Sequence, residues 1–492
     1  MKLSYLMHPW TNSISYDLDC EIYGLQNNSK QVKPGFLFFA YPGDLLDGRL
    51  FIMEALQFGA SAIVYESCNI PINCKLPTNI PCIPFFKLKK NLSKIVKRYY
   101  YFISSNKNII ITGVTGTNGK TTITYQLTQA CTILNSLSFY IGTLGAGFIG
   151  NLKFFENTTP DSLVFFRFLK DCQEKYVKNI FMEVSSHAIS QYRINDIEFQ
   201  NVIYTNISHD HLDCHLTMKN YIKIKSSFFS SPHIKWAVIN YDDLYKQFIT
   251  KSISKKAHII SYGINVNADV YILKWKTIFL NTWCMIMSPW GKFEFTVNTL
   301  GLFNIYNMLA VFIILMILGF SLNEVILVFN KLKSVPGRMQ IVSYDPCIII
   351  DYAHNPDAFK KILAFFHKIK KKHVIVVFGC GGNRDQTKRP LMGYIASYYS
   401  DILIITSDNP RYESSKNIIE EIYLGASINK SCIYKIPNRE YAIKKAIDIA
   451  ESQDIILILG KGHEKFQEIM GKYLYFSDEN VVKKYLDKNF LK

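Results

Sequence analysis

The chain has 492 residues, which at ~150 residues per domain points to about three domains, each able to bury an ordinary core. Apolar residues make up 49% of it and charged residues 19%, a globular balance that excludes wholesale disorder. Lys plus Arg exceed Asp plus Glu by 56 to 39, a formal charge of +17 that fits nucleic acid, an anionic membrane surface or acidic small substrates, and equally the Lys-, Asn- and Ile-rich usage of an AT-rich coding sequence. The 11 cysteines are odd in number and form no Cys-x-x-Cys pair, so a reducing cytosol is expected rather than a disulfide framework. No apolar stretch follows Lys2, so no signal peptide is expected. The longest apolar run, Met308–Phe320, is shorter than the ~20 residues that span a bilayer and reads as a buried helix. A soluble, cytoplasmic chain without membrane insertion is the expectation.

Residues 1–104 form the first block. Gly35–Ala40 and Ala60–Glu66 read as strands, with a helically spaced segment, Phe51–Phe58, between them. Pro71, Pro77, Pro81 and Pro84 then mark a loop-rich stretch. The basic run Lys87–Arg98 reads as a charged linker helix, because it is short and has no companion run to make a nucleic-acid patch. The second block, 105–335, opens on a β-branched strand at Asn108–Thr112, followed by a Gly-rich turn and a helix over Thr121–Leu134. Asn179–Val184 and Asn201–Asn206 are further strands, and the alternation predicts an α/β domain with a mainly parallel sheet. The third block, 336–492, carries four apolar strands at Cys347–Ile350, Val374–Phe378, Ile402–Thr406 and Ile455–Leu459, separated by helices such as Asp357–Lys370 and Arg439–Ala450. That pattern is a second doubly wound α/β unit, whose ligands belong at the carboxyl ends of its strands.

The strongest local signal is Gly113–Thr122, a Gly-rich turn between a strand and a helix, with the core Gly116-Thr-Asn-Gly-Lys-Thr-Thr122. Glycines let backbone N–H groups converge on phosphate; Lys120 would reach the β/γ-phosphates and the Thr121 hydroxyl would ligate Mg²⁺. This alone predicts only an NTP user. Glu183, at a strand end, fits a Mg²⁺ ligand or a surface acid. The cluster His209-Asp-His-Leu-Asp213 with His215 favours Mg²⁺ or Mn²⁺ and acid substrates over structural zinc when a phosphate loop shares the domain. Lys225 reads as a solvated helical lysine, no different from Lys219 or Lys223. In the third block, Asp351–Pro356, Gly379–Asp385, Ser407–Arg411 and Gly460–Glu464 each follow a strand and together predict one polar rim. Arg384 and Arg411 suit bidentate carboxylate recognition and Glu464 suits an ammonium, so an amino acid or other zwitterion is the chemical inference.

Taken in order, Gly116–Thr122, Glu183–His187, His211–His215, Leu300–Asn304 with Asn307, Val335–Arg338, Asp351–Pro356, Gly379–Pro390, Asp408–Arg411 and Gly460–Glu464 resemble the Mur ligase family, ATP-dependent amide-bond-forming enzymes of bacterial peptidoglycan synthesis. The resemblance covers nearly the whole chain. It implies a UDP-binding N-terminal domain (1–104), a central P-loop ATPase domain (105–335) and a C-terminal Rossmann-like domain (336–492). Asp408-Asn-Pro-Arg411 with Gly460-Lys-Gly-His-Glu464 resembles the members that add meso-diaminopimelate to UDP-N-acetylmuramoyl-L-alanyl-D-glutamate; lysine-adding members differ at the first motif.

The resemblance further implies site roles. Thr121 and Glu183 would serve one Mg²⁺, and His211 with a carbamylated Lys225 a second. ATP would meet Gly116, Thr117, Asn118, Gly119, Lys120, Thr121, Thr122, Asn304, Arg338 and Asp351. Asn27, Ser29 and the Asp44-Leu45-Leu46 turn would hold the uridine diphosphate, and Asn157, Thr158, Thr159, Ser185, Gln191 and Arg193 the rest of the nucleotide-peptide. Arg384, Asp408, Asn409, Pro410, Arg411, Gly460 and Glu464 would hold diaminopimelate. Lys30, His209 and Asn383 depart from the family pattern, as does the Tyr-Glu-Ser-Ser that follows Arg411.

The implied reaction phosphorylates the D-glutamyl γ-carboxylate, and the incoming amine then displaces phosphate from the acyl phosphate. Positioning and charge neutralisation by Lys120 and two Mg²⁺ would carry it, with His187 or His354 as candidates for proton transfer. A monomer with no nucleic-acid partner is expected. The alternatives are the same ligase using L-lysine, a folate polyglutamyl ligase, a nucleic-acid-dependent P-loop NTPase, and a non-catalytic metabolite binder.

Overall fold

A computed structural model describes residues 1–489 apart from 12, 13, 15, 45, 104–108, 156, 211–214, 279 and 430. Contacts divide it into two compact units. The first is Met1–Gly113 with Ser136–Asn201 and Ser230–Lys235; the second is Val114–Asn135 with Val202–Phe229 and Trp236–Lys492.

In the first unit, the strands Gly24–Gln26, Phe36–Ala40, Ala60–Glu66 and Cys82–Phe85 form a parallel sheet in that order. Alternate residues Phe38 and Ala40 pack with Ile63 and with Ile52 and Ala55 of the helix Ile52–Gln57. The proline-punctuated stretch therefore contains a strand as well as loops. Pro84 is tolerated there because Cys82–Phe85 is an edge strand, where a missing N–H breaks no ladder. The basic run belongs to a longer helix, Leu88–Ile103, and it is not a free linker. Leu88, Leu92, Ile95, Val96 and Tyr99 share its buried face. On its other side Lys97 pairs with Glu198 at 2.7 Å, and Arg98 donates to the Tyr5 carbonyl at 2.9 Å. A second group of strands in this unit includes Asn179–Glu183 parallel to Ser138–Gly142, continued by the antiparallel Gly145–Phe148 and Asn151–Lys153.

In the second unit, Trp236–Asn240, His258–Gly263 and Val270–Ile278 run parallel, and Asn281–Ser288 and Gly291–Val297 complete an antiparallel meander. Most of the apolar run lies in the helix Leu302–Ile317, whose residues Met308 to Leu315 are all buried, and Leu318–Phe320 follow its end. Among the described residues no helix is long and apolar enough to cross a membrane.

The last sheet has the order Gln340–Tyr344, Cys347–Asp351, Ile455–Leu459, Val374–Phe378, Ile402–Ile405, Cys432–Lys435, all parallel except the first pair. Its central strands are apolar on both faces. Ile349, Val376, Phe378, Ile405 and Leu457 pack on the helices Pro356–Ile369, Lys388–Tyr399 and Ser415–Ala426. Ile348, Ile350, Val377, Ile404 and Ile456 pack on Arg439–Ile449 and Asp478–Asn489. Near-continuous Ile/Val/Leu runs are what two covered faces require. The four strand ends predicted to bear ligand loops are neighbours in this sheet.

Arg439 and Asp478 lock the second helical layer. Both are fully buried, and the guanidinium bonds the carboxylate through Nε (2.7 Å) and Nη2 (2.8 Å) and the Leu459 carbonyl at 3.1 Å. Arg439→Ala would leave a buried unpaired carboxylate, a loss of about 3–5 kcal/mol. A fall of that size in the unfolding free energy from urea titration is expected; a change within about 0.5 kcal/mol, the scale of a surface substitution, contradicts it.

Candidate active site

The strand Ile110–Thr115 ends in the Gly-rich turn, and the helix Lys120–Ile133 follows. Gly119 caps that helix at φ +90°, where a Cβ would sit 2.5 Å from Asn307 Oδ1, so both backbone and space demand glycine. The turn is held from the next strand end. Thr117 N–H donates to the Asn206 carbonyl at 2.7 Å, Asn118 N–H to Asn206 Oδ1 at 3.0 Å, and Thr205 Oγ1 to the Asn118 carbonyl at 2.6 Å. Thr205 and Asn206 were missed in the sequence; their signal was a polar pair ending a predicted strand.

Two cations meet at this turn. Lys120 Nζ donates to the carbonyls of Gly116 (2.9 Å) and Thr117 (2.8 Å), and Lys225 Nζ donates to the same Gly116 carbonyl at 2.9 Å. Lys225 is buried, so its reading as a solvated lysine is corrected. The helix Met218–Ser227 turns Tyr221, Ile222, Lys225 and Ser226 inward. Tyr221 lies one turn before it, with its ring 4.8 Å from the ammonium and its hydroxyl 3.1 Å from Thr117 Oγ1. Burial, with Lys120 nearby, drives the Lys225 pKa well below the ordinary 10.5, and Asp210 opposes this. His215 is buried and stacks on Tyr221, while His211 lies outside the described residues. Among the described residues no cluster of three His, Cys, Asp or Glu could hold a metal.

The same unit brings in the other ATP candidates. Arg338 Nη2 donates to Thr121 Oγ1 at 3.1 Å, and its guanidinium lies 4.3 Å over the Tyr352 ring. Asp351 accepts the N–H groups of Met339 and Ala353, both at 2.7 Å; burial raises its pKa against the pull of Arg338. Asn304 is buried and accepts from Asn307 at 3.1 Å. Asn118 meets Asn355 at 3.1 Å and Asp357 at 3.3 Å. Thr122 lies on the first turn of the helix.

In the first unit, Glu183 is fully buried, which removes the surface-acid reading. It accepts from Tyr140 Oη (2.7 Å), Thr143 N–H (2.9 Å) and Thr143 Oγ1 (3.1 Å). Thr158 Oγ1 is 3.3 Å from Thr143 Oγ1, Thr159 Oγ1 bonds the Glu183 carbonyl, Ser185 N–H bonds Thr159, and Arg193 reaches the Thr159 carbonyl. The two predicted nucleotide-peptide groups also meet: Asn27 donates to Tyr41 Oη (2.9 Å) and Asp161 (3.1 Å), and Gln191 bonds Asp44. Ser29 bonds Glu54, Leu46 and Asn157 are exposed, and Leu45 lies outside the described residues.

At the carboxyl ends of the last sheet, Tyr352, His354, Arg384, Asp408, Asn409, Arg411, Gly460 and Glu464 line one cavity of about 180 Å³, together with His209 and Asp210. Pro410 lies in the same loop. Glu464 accepts from Asn409 Nδ2 at 2.8 Å and from Lys461 Nζ at 2.9 Å. Lys461, fully buried, was missed because a glycine-flanked lysine reads as exposed. Arg384 is exposed. Asn383 keeps what an Asp would supply: at φ +51°, a conformation asparagine tolerates, its Oδ1 accepts Tyr412 N–H at 3.1 Å. Glu413, in the divergent segment after Arg411, anchors the fully buried Arg389 at 2.9 Å. Lys30 is exposed.

Family models match along the chain: Mur ligase family, catalytic domain at residues 21–100; Mur ligase middle domain at 114–315; and Mur ligase, glutamate ligase domain at 337–462. The chain belongs to the Mur ligase family. A UDP-N-acetylmuramoyl-L-alanyl-D-glutamate--2,6-diaminopimelate ligase of Buchnera aphidicola subsp. Baizongia pistaciae is 38% identical over 503 residues, covering 99% of this chain and 97% of the relative. The Aquifex aeolicus protein of the same name is 41% identical over 468 residues, 94% and 93% of the two chains. A solved structure of a ligase so named superposes with a TM-score of 0.72 at 31% identity, covering 100% and 99%. Mycobacterium tuberculosis folylpolyglutamate synthase shares the fold alone, at 14% identity, a TM-score of 0.62, and 76% and 91% coverage. This Mur ligase has the family's three-domain α/β architecture and is an ATP-dependent amide-bond-forming ligase.

Because the folded pKa of Lys225 lies below its unfolded value, the unfolded chain binds more protons there near neutrality. The group therefore destabilises the fold at pH 7.5, and the penalty shrinks as pH rises toward 10.5. Lys225→Met is expected to raise the thermal midpoint in CO₂-free buffer at pH 7.5, with a smaller gain at pH 9.5. Equal gains at both pH values contradict a depressed pKa.

Proposed function

We propose that this Mur ligase joins meso-diaminopimelate to the D-glutamyl γ-carboxylate of UDP-N-acetylmuramoyl-L-alanyl-D-glutamate, using ATP, in cytoplasmic peptidoglycan precursor synthesis. The observation that carries the reading is the single cavity shared by Arg384, Arg411, Asp408 and Glu464, which offers both signs of charge to a zwitterion with an additional carboxylate. Domains 1–104, 105–335 and 336–492 are assigned to the nucleotide-peptide, ATP and amino acid respectively. The enzyme acts as a monomer, without nucleic acid.

The first step needs phosphate held and its charge spread. The N–H groups of the Gly116–Thr122 turn and Lys120 supply this, and Arg338 lies beside the Thr121 hydroxyl. Thr121 hydroxyl and Glu183 carboxylate are hard oxygen donors that suit Mg²⁺. Lys225 as an amine does not suit it. Two ammonium groups on one carbonyl favour loss of one charge, and carbamylation of Lys225 would turn that position into an oxygen donor, with His211 as its companion. Mg²⁺, when bound, would neutralise phosphate charge. In the second step, Glu464 and Asp408 would orient the amino acid by its ammonium and Arg384 and Arg411 by its carboxylates, so the free amine approaches the acyl phosphate in one pose. Asn27, Gln191, Arg193, Thr158, Thr159 and Ser185 would hold the nucleotide-peptide.

The deciding assay incubates UDP-muramoyl dipeptide and ATP with diaminopimelate or lysine and weighs the product. Tripeptide from diaminopimelate is expected; product only from lysine, or ATPase activity stimulated only by DNA or RNA, overturns the proposal. Arg411→Ala should raise the KM for diaminopimelate far more than that for ATP, and equal rises would remove Arg411 from the amino-acid site. Lys225→Ala should be largely inactive and partly restored by short carboxylates such as acetate. Full activity without rescue would refute the carbamate.

A further inference from the structure

The loop Asp408–Arg411 is bonded to the hairpin of Phe466–Ile469 and Lys472–Tyr475 as well as to the Gly382 turn. Arg411 sits in the left-handed region at φ +53°. Its N–H donates to the Glu468 carbonyl at 3.1 Å and its carbonyl accepts Met470 N–H at 2.7 Å, so the backbone is stitched to the hairpin on both sides. Its side chain is gripped as well. Nε lies 3.0 Å from Glu468 Oε2, and Nη1 donates to the Gly382 carbonyl at 2.8 Å. These contacts restrain the guanidinium, which lines the cavity where a ligand carboxylate would sit. Asn409 is set from the same residue. Its Oδ1 accepts from Glu468 N–H and Lys461 Nζ, both at 3.0 Å. Both partners can only donate, so Nδ2 must face Glu464.

We infer that Glu468 is a positioning residue that sets the selectivity of the amino-acid site, holding Arg411 through its carboxylate and Asn409 through its backbone so that a distal carboxylate is read by geometry. This rests on the diaminopimelate reading above. A carboxylate beside Arg411 also partly cancels its charge. The guanidinium is therefore a weak general anion trap and a stronger reader of a carboxylate placed in the cavity it lines. Without Glu468 the fork gains rotamers and must be re-ordered by each substrate.

The test compares Glu468→Ala and Glu468→Gln with the wild-type full chain, measuring KM for diaminopimelate, ATP and the UDP-dipeptide and the diaminopimelate-to-lysine ratio of kcat/KM. Glu468→Ala should raise the diaminopimelate KM about tenfold and lower the ratio about tenfold. Its other two KM values should move less than about twofold, because the backbone contact to Asn409 survives any side chain. Glu468→Gln keeps an acceptor for Nε and should recover most of the loss. The inference is overturned if Glu468→Ala leaves the diaminopimelate KM and the ratio unchanged, if all three KM values rise together, or if Glu468→Gln is as impaired as Glu468→Ala. Thermal midpoints of both variants separate misfolding from lost positioning. Wild-type protein that makes no product with diaminopimelate defeats the substrate reading and this inference together. Wild-type activity with unaffected variants defeats only the role of Glu468.

Discussion

Two lysine ammonium groups converge on one backbone carbonyl, that of Gly116, and much of the second unit is arranged around the result. Backbone carbonyls carry only partial negative charge, so burial and the neighbouring Lys120 push the Lys225 pKa well below its ordinary value, against the pull of Asp210. The turn is held from several sides. Thr205 and Asn206 bond it from the neighbouring strand end, Tyr221 bonds Thr117 while lining Lys225, and Asn307 packs where Gly119 lacks a Cβ. Such a preorganised turn, with its glycine backbone and Lys120, is well matched to a polyphosphate. Tyr221 and Lys225 are one helical turn apart, so a single amphipathic helix delivers both the ring and the cation.

The amino-acid end is built by a different device, a set of side chains of both charges bonded to one another. Lys461, Asn409, Glu464 and Glu468 satisfy one another, and Arg439 grips the end of the strand that precedes Gly460. Lys461, the buried member, is the one whose loss of partners would carry a full desolvation cost. Specificity for a zwitterion then comes from which edges of Arg411 and Glu464 remain open. The two ends are also wired together within the second unit. Asn118 of the phosphate turn meets Asn355 and Asp357 at the start of the helix that follows the Asp351 strand.

The charge of +17 reads differently once side chains have places. Several cations are wholly internal: Arg389 with Glu413 and Glu421, Arg439 with Asp478, Lys461 in its network and Lys225 in the phosphate turn. Lys97 and Arg98 of the basic run are committed to Glu198 and to the Tyr5 carbonyl. Cation–carboxylate pairs such as these cancel in the net charge, so the +17 excess lies on the remaining lysines and arginines.

The sequence by itself determined some of the strands, the doubly wound pattern of the last block, the phosphate turn and the family, because apolar periodicity, glycine placement and short motifs act over a few residues. It located Arg411, Asn409 and Glu464 but could not show that Glu468 and Lys461 hold them, since a Lys between two glycines and a Glu on an edge strand look solvated. Lys225 looked ordinary, and Glu183 fitted a metal ligand or a surface acid alike. Only the tertiary structure decided that Glu183 is sealed among Tyr140 and Thr143 and Lys225 inside the phosphate turn. Burial is a sum over residues far apart in the chain, and the chemistry of an ionisable group is set by that sum, not by its neighbours in sequence.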